Sequence, residues 1–398
     1  MIITDVTCVE YVGHVARDEP IFADRLRRPT DCYPEFRSVP AQRFPEVADD
    51  TYEVRSIFLH IDTDAGLRGS TAQLSPEQAA IVMTVLKPLL LGQDPVAVER
   101  LWDVMYRSAI HGRAGAGMTA LSAVDCALWD LRGQAFGVPA HVLLGGPTRT
   151  DVEVYVSTLG DSLEPDAVAR RTRELVAEGV RATKWFPRWG PEDGREGIEK
   201  IVELVGTVRD AGGPGMEIML DAWSGWDVPF TLAVAAATRD LGVAWIEEPL
   251  LADLSEGYRS LRRRLPDGVR VVGGEHEYTR WGYQRLLADD VLDLYQPDPH
   301  WAGGISELTK IAALISAAGG QLIPHGQSMQ CNAALTFAAS PALMPRMEYL
   351  ARLMPIYQHF LAEPITPDGG RVAVPSTPGL GMGLAEENIV GSRPVGAL

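Results

Sequence analysis

The arrangement of hydrophobic and polar positions changes near residue 150 of the chain. Before that point, the stretch SIFLHIDTDAGLRGS predicts two strands joined by a turn at Asp64, Ala65 and Gly66. Further along, MTALSAVDCALWDLRGQAFGVP has apolar residues at helical spacing and closes with glycine and proline, which predicts a helix. The first part of the chain is therefore expected to combine strands with helices.

From about residue 150 onward, short apolar strands alternate with amphipathic helices. The predicted strands are, in order, DVEVYVST, RATKWF, MEIMLD, VAWIEE, RVVGGE, LDLYQPD, QLIPH and RMEYL. Regular alternation predicts a parallel sheet, and this number of repeats favours a closed βα barrel over an open doubly wound sheet. The open sheet stays the alternative, although no Gly-x-Gly-x-x-Gly follows its first strand.

The segment from residue 15 to residue 47 is long, irregular and rich in arginine, proline and aromatic residues. Its prominent side chains include Arg25, Arg27, Arg28, Tyr33 and Arg37. A segment of this kind is often a lid over a functional site, and the alternative is an ordinary surface loop. The sequence leaves both interpretations open.

Composition and charge narrow the class of protein. With 46% apolar and 22% charged residues among 398, the chain is expected to be a soluble globular protein. No apolar run could span a bilayer and the N-terminus carries no secretory signal, which predicts a cytoplasmic location. A net charge of −17 argues against nucleic acid or an anionic membrane as a partner.

The cysteines are Cys8, Cys32, Cys126 and Cys331. They are scattered along the chain without paired spacing. Such scatter fits a reducing compartment and predicts no zinc knuckle.

Several of the predicted strands end in an ionisable side chain. These residues are Lys184, Asp221, Glu247, Glu275, Asp298, His325 and Glu348. From the second member onward, the gaps are 26, 28, 23, 27 and 23 residues, and one strand–helix unit has about this length. Each member therefore falls at the carboxyl end of the next strand. In a barrel these ends form a ring around one mouth, where such enzymes keep their chemistry, which argues against a mere binding scaffold.

Three consecutive members of this ring are acids: Asp221, Glu247 and Glu275. Three carboxylates at one mouth repel one another unless a cation binds them. Hard oxygen ligands favour Mg²⁺ over zinc, and none of the eight histidines forms an HxH or HExxH pair. Strand alternation sends Glu248 away from Glu247, so Glu248 is expected to support the site rather than bind the ion.

The next two members, Asp298 and His325, belong to adjacent predicted strands. A carboxylate on one imidazole nitrogen leaves the other nitrogen free to act as a general base. Pro324 and Gly326 flank the histidine and favour a functional strand end over a histidine satisfied in the core. Lys184 is expected to hold a substrate carboxylate or an oxyanion, and the rival interpretation is a Schiff-base lysine of an aldolase.

The motifs LDAW, WIEEP, GGEHE, QPDPHWAGG and IPHG, in this order and spacing, resemble the enolase superfamily and, within it, the mandelate racemase subgroup. The stretch LSAVDCALWDLRGQAFGVPAHVLLGG resembles that subgroup's linker between capping domain and barrel. The resemblance covers nearly the whole chain. On GEH, DPHWAGGI and LIPHGQS the chain is most similar to acid-sugar dehydratases of the L-rhamnonate type.

This resemblance implies a modified TIM barrel, (β/α)₇β, with an N-terminal α+β capping domain. The implied boundaries are a cap at 1–140 with its lid at 15–47, a barrel at 145–368, and a segment at 369–398 that packs back on the cap. The resemblance also implies a homo-oligomer, one essential Mg²⁺ and removal of the proton α to a carboxylate.

The resemblance assigns roles to the ring. The implied metal ligands are Asp221, Glu247 and Glu275, and the implied dyad is Asp298 with His325. Glu348 matches a glutamic acid that donates to the substrate carboxylate in mandelate racemase.

One departure from the subgroup bears on the reaction. Where Lys-x-Lys is common, this chain has Lys184, Trp185 and Phe186. Phenylalanine cannot accept a proton, and a racemase generally needs a base on each face of the carbanion. The departure favours dehydration of a small anionic sugar acid to a 2-keto-3-deoxy acid. A racemase or epimerase acting on a 2-hydroxy acid is the alternative.

Four further residues are candidates for substrate contact: His276, His300, Trp301 and Arg25. His276 follows the predicted metal ligand Glu275, and His300 and Trp301 follow Asp298. Arg25 represents the segment expected to read the far end of the sugar. A supporting position behind the site is the alternative for the first three.

Overall fold

The computed structural model describes residues 1–40 and 44–396 of the chain. The predicted lid, 15–47, therefore includes residues 41–43 outside the described part, and the predicted C-terminal segment, 369–398, includes residues 397–398. The described residues form an antiparallel sheet with helices and a curled parallel sheet surrounded by helices. None of their helices is both long and apolar enough to cross a membrane.

Strands and helices are numbered separately in chain order. The strands are β1 (Ile3–Ala16), β2 (Glu46–Ala48), β3 (Thr51–Thr63), β4 (Arg68–Leu74), β5 (Asp151–Ser157), β6 (Ala182–Trp185), β7 (Glu217–Asp221), β8 (Val243–Glu247), β9 (Arg270–Gly273), β10 (Leu294–Tyr295), β11 (Met347–Leu350), β12 (Arg371–Ala373) and β13 (Gly391–Val395). The α-helices are α1 (Pro34–Arg37), α2 (Pro76–Ile81), α3 (Lys87–Leu90), α4 (Val98–Ser108), α5 (Ala116–Phe136), α6 (Ala140–Leu143), α7 (Pro165–Ala177), α8 (Gly194–Gly212), α9 (Val228–Ala237), α10 (Ser255–Arg264), α11 (Thr279–Asp289), α12 (Gly304–Ala317), α13 (Met329–Ala338) and α14 (Met354–Tyr357).

The antiparallel sheet has the strand order β13-β1-β3-β2, with β4 also paired to β3. Its register places Cys8 of β1 opposite Leu59 on one side and Val395 on the other. Strands β3 and β4 form the predicted hairpin, and Gly66 at its turn has a φ of 74°, which glycine adopts without steric cost. The last strand of the chain thus completes a sheet built from its first strands.

Helix α5 connects this sheet to the barrel. It is the helix predicted from the sequence, and it ends at Gly137, whose φ of 65° is left-handed. Two buried acids on α5 bind backbone N–H groups from other parts of the chain. Asp125 accepts from Ser306 at 2.9 Å, and Asp130 accepts from Leu380 at 2.8 Å. These bonds fix α5 against the barrel and the C-terminal segment.

The parallel sheet is curled: β5 to β10 pair in chain order, and β11 returns to pair with the other edge of β5. Helices α7 to α13 lie between successive strands, so the predicted (β/α)₇β barrel is confirmed. The predicted strand QLIPH is reduced to one parallel bridge between Tyr295 and Leu322. Pro324, and Pro297 on the neighbouring segment, carry no N–H to continue a ladder there.

Apolar side chains fill the barrel interior. They are Tyr155, Ala182, Met219, Trp245, Val272, Leu294 and Ile323. The rings of Tyr155 and Trp245 meet edge to face, with centroids 5.4 Å apart. Several of these apolar residues lie two positions before one of the ionisable residues at the strand ends. Because side chains two apart on a strand share a face, the ionisable residues at the strand ends point into the mouth above an apolar floor.

Candidate active site

Lys184, on β6, lies at the meeting point of three carboxylates. Its Nζ is 3.0 Å from Asp221 Oδ2 and 2.8 Å from Glu348 Oε1, and it donates a further hydrogen bond to Glu247. All four side chains are buried. Burial alone would lower the pKa of Lys184, but the carboxylates, Glu247 foremost, raise that pKa well above its usual value. The lysine is therefore an ammonium ion inside the site.

Glu348, on β11, accepts hydrogen bonds on both of its oxygens. Oε1 accepts from Ser157 and Lys184, and Oε2 accepts from the backbone N–H of Gly326 at 2.8 Å. Burial would raise the pKa of Glu348, but the positive charges of Lys184 and His325 hold it at about 2. Glu348 is thus an anion that fixes the position of Lys184.

The two carboxylates at the ends of β7 and β8 have further neutral donors. Glu247 Oε2 accepts from Gln296 Nε2 at 2.7 Å, and Asp221 Oδ1 accepts from the backbone N–H of Trp223 at 2.9 Å. The mouth therefore holds more acid than its buried lysine can neutralise.

His325 and Asp298 form the predicted pair. His325 Nδ1 lies 2.7 Å from Asp298 Oδ2, and the backbone N–H of His300 fixes the other oxygen of Asp298 at 2.6 Å. His325 Nε2 then faces the mouth, 3.5 Å from Glu275 Oε2. Burial alone would lower the pKa of His325, but the carboxylates of Glu275 and Asp298 raise it to about 10. The geometry leaves Nε2 as the nitrogen available to a substrate.

Glu248 lies near this pair and accepts hydrogen bonds from other residues. Its φ of 36° is left-handed, and its side chain accepts from His276 Nδ1 at 2.6 Å and from the backbone N–H of Gly274 at 3.2 Å. Burial would lower the pKa of His276, but the bond to Glu248 raises it to about 9. These contacts tie Glu248 to His276 and to the backbone that follows β9.

The carboxylates of the mouth form two groups, and each group offers oxygen atoms that could bind a metal ion. Asp221 and Glu247 share Lys184 between them, whereas Glu275 lies beside His325 and His276. In the described part of the chain, the ligand atoms of Glu248, Glu275 and His276 lie within 4.8 Å of one another. The predicted trio Asp221, Glu247 and Glu275 is not drawn together as closely. Its members line one mouth with Lys184 and the dyad between them.

The predicted substrate-contact residues divide into two pairs. The ring of Trp301 stacks on that of His325 at 4.9 Å and on that of His276 at 5.8 Å, so Trp301 and His276 line the mouth. His300 turns its buried imidazole toward Thr71, and Arg25 donates to the carbonyl of Arg37 and to Asp31. The structure therefore brings the side chains of two of the four predicted residues to the mouth.

Phe186, next to Lys184 in the predicted motif, is buried beside it. Lys184 Nζ lies 5.3 Å from the centre of the Phe186 ring. An aromatic ring thus occupies the position where the subgroup often carries a second lysine. At this position the site offers no second base.

The predicted lid segment contacts the barrel through Arg27, one of its prominent arginines, and not through Arg25, the arginine chosen as a substrate-contact candidate. Arg27 is buried, donates to the carbonyl of Gly225 at 2.6 Å, and pairs with Glu192. A Cβ atom at Gly225 would lie 2.7 Å from Arg27 Nε, and one at Gly190 would overlap the Arg27 guanidinium. The signal in the sequence was two glycines placed after barrel strands, where close approach of another chain segment is common.

A family model described as "Enolase C-terminal domain-like" matches residues 167–388, which is more than half of the chain. The chain belongs to the enolase superfamily. A second family model, described as "Mandelate racemase / muconate lactonizing enzyme, N-terminal domain", matches residues 41–145. The resemblance drawn from the sequence motifs is confirmed.

Individual relatives within the enolase superfamily cover nearly all of this chain. L-rhamnonate dehydratase of Saccharopolyspora erythraea is 33% identical over 92% of this chain and 90% of its own length. The crystal structure of L-rhamnonate dehydratase from Gibberella zeae is similar with a TM-score of 0.83 and 27% identity, covering 99% of this chain and 96% of the other.

Two further solved structures show the range of chemistry on this fold. The 3,6-anhydro-D-galactonate cycloisomerase of Zobellia galactanivorans is 26% identical with a TM-score of 0.78, over 98% of this chain and 100% of the other. A racemase of Streptomyces coelicolor A3(2) with bound magnesium is also 26% identical, with a TM-score of 0.79 over 98% and 99%. The fold alone therefore does not choose among these reactions.

Proposed function

We propose that this protein is a Mg²⁺-dependent acid-sugar dehydratase. It removes the proton α to a carboxylate and eliminates the 3-hydroxyl, which gives a 2-keto-3-deoxy acid. The observation that carries this proposal is the single oriented base of the site: His325 is held by Asp298 at 2.7 Å, while Phe186 fills the position of a second lysine. Similarity to L-rhamnonate dehydratases over nearly the whole chain supports the same reaction class.

The donor set of the mouth fits Mg²⁺. Its acids are Asp221, Glu247, Glu248, Glu275, Asp298 and Glu348, and they outnumber its bases, which are Lys184, His276 and His325. Buried charge of one sign is costly, and carboxylate oxygens are the ligands that Mg²⁺ prefers. Asp221, Glu247 and Glu275 would hold the ion. When bound, Mg²⁺ supplies Lewis-acid stabilisation for a carboxylate of the substrate.

His325 is the proposed general base. Its Nδ1 faces Asp298, so Nε2 is the nitrogen that accepts the α-proton of the sugar acid. A cation held by Glu275 would offset the negative charge that raises the pKa of His325 and would leave the imidazole neutral, as a base must be. The stacked ring of Trp301 restrains the imidazole from turning away from the mouth. Loss of the α-proton leaves an enediolate. The same imidazole, now protonated, then returns the proton to the departing 3-hydroxyl, which leaves as water.

Lys184 and Glu348 are proposed to act on the negative charge that develops when the proton leaves. Lys184 supplies a fixed positive charge at the corner shared with Asp221 and Glu247. Glu348 accepts from Ser157, Gly326 and Lys184, and these contacts favour a role in positioning Lys184 over proton donation. Preorganised charge of this kind typically contributes about 10²–10³ in rate per contact.

Two other reactions fit the site less well. A Schiff-base lysine needs an unshared amine, and Lys184 contacts three carboxylates. An epimerase of a 2-hydroxy acid needs a base on the far face of the carbanion, where Phe186 stands in this chain. Epimerisation stays the second candidate because His276, the other histidine at the mouth, stacks on Trp301.

A panel of aldonic acids, incubated with the protein and Mg²⁺ in deuterated water, tests the proposal. Semicarbazide detects the 2-keto acid, and NMR detects deuterium at the α-carbon. The proposal expects a 3-deoxy 2-keto product from at least one acid, and none after chelation of the metal. Deuterium incorporation without loss of water would support the epimerase. The proposal is wrong if folded, Mg²⁺-loaded protein turns over no acid of a stereochemically complete panel.

A further inference from the structure

A cluster of two cysteines and one histidine lies behind the dyad. Cys126 is on α5, Cys331 is on α13, and His300 follows β10. All three side chains are buried, and one ligand atom from each lies within 4.8 Å of the others. The scattered cysteines of the sequence predicted no such grouping. The fold brings two of the four together beside an imidazole.

The geometry of this cluster is close to one face of a tetrahedral metal site. Zn–S and Zn–N bonds of about 2.3 and 2.1 Å at tetrahedral angles place sulfur and nitrogen about 3.6 Å apart. His300 Nε2 lies 3.8 Å from Cys331 Sγ. Thr71 Oγ1 lies 3.3 Å from the same nitrogen and offers an oxygen at the cluster. Only small side-chain shifts separate this arrangement from coordination.

The chemistry of the three ligands selects a soft or borderline cation. Thiolate and imidazole suit Zn²⁺, whereas Mg²⁺ prefers oxygen. Two thiolates and a neutral imidazole around a divalent cation also give an uncharged centre, which a buried position tolerates. The hydrogen bond from Cys126 lowers the pKa of the Cys331 thiol to about 5, although burial opposes this shift. Burial raises the pKa of the Cys126 thiol, so metal binding there would release its proton.

The surrounding backbone holds the three ligands on rigid supports. Ser122 Oγ on α5 accepts from the backbone N–H of Gly303 at 2.9 Å, and Trp129 Nε1 donates to Ser306 at 2.8 Å. Ser328 caps α13, where its side chain accepts from the N–H of Cys331. The ligands thus come from elements already fixed to one another, which lowers the cost of ordering a metal site.

We propose that Cys126, His300 and Cys331 bind a thiophilic divalent cation, with Zn²⁺ as its representative, in a structural site separate from the mouth. The site joins α5 to the barrel. It also reaches the dyad, because the backbone N–H of His300 donates to Asp298, the partner of His325. The cation would therefore stiffen the support of the catalytic base without touching substrate.

The test measures metal content and sulfur ligation directly. Wild-type protein is purified without chelator, held in excess Mg²⁺ to occupy the mouth, and assayed for zinc by mass spectrometry. Apo protein is then titrated with Co²⁺, whose thiolate charge-transfer absorption distinguishes sulfur ligands from carboxylates. The proposal expects about one thiophilic ion per chain and this absorption in the wild type.

Conservative variants locate the site. Cys126→Ser and Cys331→Ser are each expected to abolish the cobalt absorption and to weaken zinc binding by more than the ~10–100-fold typical of losing an outer-sphere partner. Cys8→Ser, at another buried cysteine, and Cys32→Ser, at an exposed one, should change neither readout.

Three results would overturn the proposal: no cobalt–thiolate absorption in folded wild-type protein, cobalt–thiolate absorption at the wild-type level in both cluster variants, or a Cys126–Cys331 disulfide without metal in protein purified under reducing conditions. The wild-type titration decides the matter even if a variant fails to fold.

Discussion

The two ends of the barrel carry the same kinds of charged residues, but these residues are buried at the carboxyl end and partly exposed at the amino end. At the carboxyl end, Lys184 and the acids around it are buried within hydrogen-bonding distance of one another. At the amino end, Glu217 pairs with Arg346 at 2.7 Å and with Arg270 at 3.5 Å, and all three side chains are partly exposed. Strand β7 shows the contrast within itself, since Glu217 begins it and Asp221 ends it.

This difference in burial distinguishes charged side chains with a proposed role in catalysis from charged side chains that only keep the surface polar. Exposed ion pairs contribute about 0–1 kcal/mol to stability, because water already solvates both partners. A buried charged cluster costs desolvation and loses several kcal/mol more when one partner is removed. The carboxyl end is therefore an unfavourable arrangement for stability alone, and a function for it explains why it is kept.

The largest expected effect comes from a substitution at the carboxyl end of the barrel. His325→Asn removes the proposed base while keeping a polar side chain, and turnover should fall by about 10²–10⁴. Mg²⁺ binding should survive, because the metal ligands are untouched. Steady-state assays of the product 2-keto acid, with the exposed His14→Asn as control, measure the change. Near-wild-type activity in His325→Asn would show that the base is another residue.

Lys184→Met tests whether the stability of the fold depends on the buried ammonium group of Lys184. The change leaves Asp221, Glu247 and Glu348 without their shared ammonium, at an expected cost of about 3–5 kcal/mol in the free energy of unfolding. Denaturant titration in chelator measures this cost. Lys200→Met, at an exposed pair with Glu203, should leave stability unchanged. Equal stability of the two variants would mean that the cluster is solvated rather than buried.

A buried histidine outside the mouth separates the effect of burial from that of carboxylate partners. His60 bonds to Tyr11 and Ser70, and burial lowers its pKa to about 4, whereas carboxylates raise that of His325 to about 10. Below pH 6.5 the unfolded chain binds a proton at His60 that the folded chain refuses. Stability should therefore fall between pH 6.5 and 4, by up to about 3 kcal/mol from this residue.

Denaturant titrations across that pH range, on wild type and His60→Gln, isolate the contribution of His60. The wild type should lose more stability than the variant on acidification. Parallel pH profiles of the two proteins would contradict a depressed pKa at His60.

The smallest expected effect lies at the amino end. Glu217→Gln removes the carboxylate shared by Arg346 and Arg270, and the free energy of unfolding should fall by about 1 kcal/mol or less. Turnover should be unchanged, because these residues lie at the opposite end of the strands from the mouth. A loss of activity comparable to that of His325→Asn would contradict the division between the two ends.

The ring of ionisable residues at the strand ends could be predicted from the sequence because the strand–helix units repeat at a regular length. Parallel strands of one barrel present their carboxyl ends together, so spacing alone placed Asp221, Glu247 and the later members at one mouth. The dyad followed from adjacency of two strands, and the structure brings Asp298 and His325 into contact. The same reasoning overextended the strand QLIPH, where proline removes the donors of the ladder.

Contacts between residues far apart in the sequence were not accessible in this way. Spacing does not show that Ser157 binds Glu348, that Glu248 adopts a left-handed backbone, or that Cys126 meets Cys331. Spacing also did not show which arginine of residues 15–47 contacts the barrel. Irregular backbone has no period, and Arg27, not Arg25, enters the space left by two glycines.

Mg²⁺ titration by calorimetry, on the wild type and two variants of one strand, tests the central claim most directly. The claim is that acids at the carboxyl ends of the strands hold one divalent cation. Asp221→Asn should weaken Mg²⁺ binding by at least ~10-fold, and Glu217→Gln, four residues earlier on β7, should leave it unchanged. Equal Mg²⁺ affinity in the wild type and Asp221→Asn would contradict the claim.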